Sequence, residues 1–357
     1  MRGRPAVDAA TILATRHARQ GLSKPIARVA GFEALFRRLQ PVSTGALVRP
    51  GSPPRLVHRT RFDSAAAADA WRPSRRIVKG RFQGGGVGYV HRTDLALYAN
   101  AFRRPLSEIT ITQHQVYETL RVGGPLTSSL IKEETGLLKK QINPALQRLQ
   151  EAFLVYEDQV DDAWQRGWNE FASEWPEIDL SDATRDSAAA EVVRRFLDVF
   201  VFATQAQLCA WTEWPKQRIA QAIADLEADG SVAATEVADL GAGWSCRKDL
   251  RLRTASPPPT AFLFDRGDFL PRAHKSELDR RFGRTDVLQY VYAAGEFIGA
   301  VRGHWGFKPF DIDDIVIQRP AAAAAALRDE VLTLVRAAYP EPRHHVLRYA
   351  GKKVQGH

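Results

Sequence analysis

The chain has 357 residues, 45% of them hydrophobic and 25% charged, with a net charge of +9. That length calls for two or three domains with real cores, and two cysteines, Cys209 and Cys246, exclude both a disulfide framework and a four-ligand zinc site. No window approaches the ~18 uncharged apolar residues of a membrane span, Met1–Pro5 lacks the apolar stretch of a secretory signal, and a reducing, cytoplasmic setting is expected.

The first third is basic. Residues 1–104 hold 20 Lys and Arg against 5 Asp and Glu, and the remainder holds 30 against 36. Such asymmetry points to a polyanion, because cations that meet phosphates release condensed counterions. A helix is expected over Asp8–Arg19, capped by Asp8 and stopped at Gly21, and another over Phe32–Leu39. The stretch Arg49–Pro54 is an irregular loop. Ile77–Phe82 and Val87–His91, on either side of Gly84-Gly85-Gly86, read as a hairpin. The triplet lacks the Gly-Lys-Ser/Thr ending of a nucleotide loop, and no helix opens from it.

From residue 105 the pattern changes. Thr112–Arg121, Thr127–Glu134 and Leu137–Glu151 read as three helices, the last with Pro144 disturbing its first turns, and Phe153–Tyr156 as a strand. The same order returns 77 residues later in Val192–Ala203, Thr204–Trp211 and Pro215–Ala228, followed by strands Val232–Val237 and Gly243–Cys246. At that offset Thr127 aligns with Thr204, Lys139 with Lys216, Ile142 with Ile219, Leu146 with Ile223 and Leu149 with Leu226. The 4-and-3 spacing is the buried stripe of a helix, and the order is that of a winged helix-turn-helix. Between the copies, the acidic, Trp-rich segment Glu157–Asp186 reads as a packed linker.

After Ser256-Pro257-Pro258-Pro259, alternating runs at Val287–Tyr292, Glu296–Arg302 and Asp314–Gln318 and a helix at Ala321–Ala338 predict a small α+β unit. Neither His344-His345 nor the Asp311, Asp313, Asp314 group offers a metal-ligand set, so no metal and no cofactor is expected. The fold class is therefore mainly α with small β elements, an α+β chain of tandem winged helix-turn-helix modules and a C-terminal β-rich domain.

Arg19-Gln20-Gly21-Leu22, Leu39-Gln40-Pro41-Val42, Val78-Lys79-Gly80-Arg81-Phe82, Tyr89-Val90-His91, Asp94-Leu95, Phe264-Asp265 and Gly295–Arg302 stand in an order that resembles the winged-helix family of AlkZ- and YcaQ-type crosslink-repair DNA glycosylases. The resemblance implies winged helices around a DNA channel, metal-free hydrolysis of the N-glycosidic bond of alkylated purines, and an active-site Gln-x-Gln or Gln-x-Asp motif. Gln40 falls on its first position as the catalytic residue; Val42 departs at the second, and unlike an amide or carboxylate it can neither orient water nor support a sugar cation. Ser43, Thr44 or a residue from elsewhere would have to substitute. Two readings of Gln40 stand side by side: catalysis, or bonding of free backbone groups at a helix end.

The expected division is a basic winged-helix-like domain with the active site at 1–104, a second winged helix with linker at 105–186, a third at 187–256, and the α+β domain at 257–357. Arg37, Arg38, Arg49, Lys79 and Arg81 are the expected channel cations, with Lys139, Lys140 and Gln141 opening the longer helix of the first repeat. The expected partner is double-stranded DNA, including damaged DNA, bound by a monomer, since no heptad segment announces a dimer. The alternative is a non-catalytic winged-helix DNA-binding protein or regulator, which apolar Val42 favours.

Overall fold

The computed structural model describes residues 7–45, 51–158, 167–257, 260–304, 308 and 310–354. Asp8 caps the helix Ala9–Arg19 by accepting from the Thr11 amide, and Gly21 (φ 76°) turns the chain away at its end. The helix Phe32–Leu39 buries Phe32, Leu35, Phe36 and Leu39 on one face. The extended segment after it bridges to an antiparallel hairpin, Ile77–Phe82 with Gly86–His91, through reciprocal backbone bonds between Val42 and Tyr89.

Two copies of one unit follow. The first runs from helix Ile111–Gly123 through strand Leu126–Thr127, helices Ser128–Thr135 and Lys139–Glu151, to strands Val155–Glu157 and Gly167–Glu170. The second runs from helix Arg185–Phe200 through strand Phe202–Ala203, helices Gln205–Thr212 and Lys216–Ala228, to strands Val232–Val237 and Gly241–Cys246. In both, the last strand lies between the other two. The aligned threonines perform the same tasks. Thr127 and Thr204 each cap the middle helix, while Thr135 and Thr212 each donate to the carbonyl four residues back and accept from the amide two residues on. Ile142, Leu146 and Leu149, like Ile219, Ile223 and Leu226, are all buried. Pro144 sits inside a continuous helix, contrary to expectation; at its sixth residue the missing N–H costs one bond, and the buried stripe holds the rest.

The C-terminal part is a six-stranded sheet in the spatial order 352–353, 348–349, 312–317, 296–303, 287–293, 261–265. It is antiparallel except where Ile315 pairs with Tyr349. The expected long helix is two, Ala321–Ala326 and Arg328–Ala338, broken at Leu327. The chain is thus mixed α and β with a C-terminal sheet. One hydrophobic core runs from the N-terminal segment through the second repeat to one face of this sheet; Val331, Leu332 and Val335 cover the other face. In the acidic linker Trp175 is buried against Tyr156, which agrees with packing, while Trp164 lies outside the described residues. Among the described residues, no helix is long and apolar enough to cross a membrane.

Candidate functional site

Gln40 is 1% exposed. Its Oε1 accepts from the His91 amide at 2.8 Å and its Nε2 donates to Asp94 Oδ2 at 2.9 Å. Asp94 also accepts from Arg37 at 2.8 Å and Arg195 at 2.9 Å. Burial works against the carboxylate, yet these donors hold its pKa down to about 2. Where a catalytic amide is expected, both polar ends of Gln40 are engaged inside the fold. The physical reason is alternation. In extended chain, residues 40 and 42 point the same way, and Val42, 3% exposed, belongs to the core.

The other nominated residues scatter. Lys79 is buried in an ion pair with Glu157. Arg81 donates to Gln150 Oε1 and the Gly85 carbonyl. Lys79 is thus engaged inside the fold, and Arg81, half-buried, is bonded through two of its three nitrogens. Arg37 is tied to Asp94, and Arg38 is exposed, donating to the Arg19 carbonyl. Lys139, Lys140 and Gln141 are exposed at the helix start, with Gln141 bonding back to the Leu138 amide. Arg49 lies outside the described residues.

Much of the N-terminal charge is spent internally. Arg19 grips Asp249 at 2.5 and 2.7 Å, Arg59 grips Asp268 at 2.6 and 2.8 Å, Arg75 meets Asp158, and Arg103 meets Asp182. The basic first third and the acidic remainder are partly complementary halves of one folded body.

An open cleft lies elsewhere among the described residues. It has a volume of about 510 Å³, and of the candidate site residues named from sequence it is lined by Ser43 and Thr44, the stand-ins for Val42, but not by Gln40 or the described channel residues. One wall is the turn Ser43-Thr44-Gly45 that follows the Gln40 strand, and another is the hairpin tip from Gln83 to Val87. Glu213, between two helices of the second repeat, closes a side. The last wall comes from the segment between Arg266 and Tyr290, with Arg266, Arg272, Lys275 and Arg284. Gly267 lets this wall approach closely, since a Cβ there would strike the Ser43 hydroxyl.

These cations are not equivalent. Lys275 pairs with Glu213 and Arg284 with Asp279. Arg272 spends only Nε, on the Gly267 carbonyl at 3.0 Å; Arg266 donates from one terminal nitrogen to the Arg284 carbonyl at 3.0 Å and leaves Nε without a partner. Among the described residues neither has a carboxylate in ion-pair contact. Burial lowers the Arg272 pKa, with Glu213, Asp265 and Asp268 acting in the opposite direction. Half-buried guanidinium groups without carboxylates suit a phosphate oxygen pair.

A model of the AlkZ-like DNA glycosylase family matches residues 50–301. The chain belongs to that family. The matched stretch begins past Gln40 and takes in the hairpin, both repeats and every cleft residue except Ser43, Thr44 and Gly45. Among solved structures, the DNA glycosylase AlkZ of Streptomyces sahachiroi superposes with a TM-score of 0.66 at 12% identity, covering 97% of this chain and 100% of that one. No curated protein matches the chain. Sequence reasoning passed over Arg266, Arg272, Lys275 and Glu213 because they stand in short segments without a repeating pattern. Two clues were present: Arg266 and Arg272 both follow the Phe264-Asp265 motif within seven residues, and Glu213 aligns with Gly136.

Proposed function

We propose that this AlkZ-like protein is a monofunctional DNA N-glycosylase that releases alkylated purines from duplex DNA, and that the 510 Å³ cleft takes the damaged strand. The observation that carries the reading is the pair Arg266 and Arg272, half-buried in the cleft without carboxylate partners. In this reading the two repeated units are tandem winged helices serving as scaffold, and residues 1–104 and 257–357 supply the cleft walls. Lys139, Lys140 and Arg38, all exposed, are left as contacts to flanking backbone. The protein works as a monomer on damage rather than on a palindrome, in a compartment that keeps Cys209 and Cys246 as free thiols.

The chemistry fits a site without metal. An N7-alkylated guanine is cationic and leaves readily; the enzyme must hold the strand, place water and support the sugar cation. Gln40 serves here as a positioning residue that ties Asp94 to the end of the hairpin.

The test is release of free base from duplex containing N7-methylguanine, with duplex affinity measured across salt. Wild type is expected to release base. Arg266→Ala and Arg272→Ala should each reduce the salt slope of binding by about 1. Salt-sensitive binding with no base release under any condition would make this a binding protein instead. Unchanged slopes in both variants would remove the cleft from the DNA path.

A further inference from the structure

Gln83 and Glu213 both border the cleft, the first one residue before Gly84 and the second with its carboxylate over Gly84. Gln83 lies in the short turn Gln83–Gly85 between the hairpin strands. It is 3% exposed, it borders the cleft, and its Nε2 has no acceptor among the described residues. A buried donor without an acceptor is costly, and in a native fold it marks a place where a ligand or water completes the bond. Glu213 is the second group. It ends the helix Gln205–Thr212 in the left-handed region (φ 57°), where the first repeat uses Gly136 (φ 70°). Its carboxylate fills the space above Gly84, where a Cβ would overlap it, and it meets the Lys275 ammonium at the cleft wall. Glycine at 84 is thus what leaves room for the carboxylate at the hairpin tip, next in sequence to Gln83.

We propose that Glu213 and Gln83 are the groups that meet the reacting nucleotide, supplying the chemistry that Val42 cannot. This rests on the glycosylase reading above. The C1′–N9 bond breaks with its electron pair moving to the cationic purine, which departs neutral. Gln83 Nε2 donates to an acceptor on that purine and eases the departure. The Glu213 carboxylate faces the sugar cation, then takes the proton of the water whose oxygen bonds to C1′. Lys275, which neutralises Glu213 in the free protein, turns to a backbone phosphate when the strand enters, leaving the carboxylate charged toward the sugar.

The experiment compares duplexes carrying a cationic pyrrolidine abasic analogue with duplexes carrying its neutral tetrahydrofuran counterpart, and needs no turnover. Wild type should bind the cationic duplex about tenfold more tightly. Glu213→Gln keeps the shape of the side chain; it should abolish that preference, tighten binding of both duplexes alike as Lys275 is freed, and cut base release on the order of 10²-fold. Gln83→Leu should slow base release while leaving the cation preference intact. A wild type without cation preference, or a Glu213→Gln variant that retains it, overturns the inference even where base release and salt-sensitive binding uphold the glycosylase reading. A Glu213→Gln variant changed only in melting temperature also overturns it, since the pair with Lys275 is then structural. Failure of the glycosylase reading is scored separately, by wild type releasing no base.

Discussion

Arg59 and Asp268 form a two-pronged ion pair, at 2.6 and 2.8 Å, with the Arg59 side chain wholly buried. The pair joins the N-terminal segment to the cap of the helix Phe269–Ala273, whose fourth residue is Arg272. Gln20 Oε1 accepts a further Arg59 proton at 3.2 Å. Breaking such a pair strands a buried charge, so Asp268→Ala should cost about 3–5 kcal/mol. Denaturant midpoints of the variant measure this. A loss below about 1 kcal/mol would mean that water reaches Arg59 and that the wall carrying Arg272 is held by other contacts.

Gln40 offers a contrast between structural and chemical roles. Gln40→Leu leaves the His91 amide unsatisfied in the interior and removes one of two donors to Asp94 Oδ2, which keeps Arg37 Nε, with an expected cost of about 1–3 kcal/mol. Base release per folded molecule should stay within a few fold of wild type. Gln40→Glu should destabilise more, because it sets a second carboxylate against Asp94. A Gln40→Leu protein with wild-type stability and base release reduced on the order of 10²-fold would return the amide to the chemistry.

The repeats were legible in the sequence because a helix's buried stripe and its threonine caps are local signals. The pairs Thr127/Thr204 and Thr135/Thr212 each mark one helix start or end, and the structure gives the two members of each pair the same bonds. The cleft was not legible. It brings Ser43, Gln83, Glu213 and Arg272 together from segments with no shared period, and only tertiary packing decides that they meet. The charge of the first third overstates its free cations for a related reason. Net charge counts Arg19, Arg59 and Lys79 as free cations, whereas Asp249, Asp268 and Glu157 from the acidic remainder neutralise them. The inward turn of Gln40 was within reach, since an apolar residue two positions along an extended strand places both on the core side.

His17 makes stability depend on pH. It is fully buried, with Nε2 2.8 Å from the Tyr292 hydroxyl and Nδ1 without a partner. Burial, then Arg16 and Arg59, push its pKa down to about 4 from the usual 6.5. The folded state therefore binds a proton less readily than the unfolded state. The contribution is complete above pH 6.5 and fades as pH falls toward about 4, amounting to roughly 3 kcal/mol. Thermal unfolding between pH 7.5 and 4.5 should show this loss, and His17→Gln should make the profile shallower over that window, with His58, His91 and His274, also lowered by burial, keeping the remaining slope. Asp94 adds a second loss only lower, between pH 3.8 and about 2. A His17→Gln variant with the wild-type slope above pH 4.5 would place the titration on another group.

Gly84 is constrained twice, by a positive φ of 66° and by the Glu213 carboxylate that a Cβ would overlap. The two constraints separate in a double-mutant cycle. Gly84→Ala alone carries the left-handed backbone penalty of about 1–2 kcal/mol together with displacement of Glu213. In a Glu213→Ala background only the backbone penalty remains, so the cost of Gly84→Ala should shrink by about 1 kcal/mol, as for other contacting pairs. The helix end at residue 213 should also gain nothing from Glu213→Ala itself, since alanine meets the same left-handed strain (φ 57°), while Glu213→Gly should stabilise it by relieving that strain. Equal costs for Gly84→Ala in both backgrounds, read from urea midpoints, would mean that the hairpin tip and the second repeat do not touch in solution.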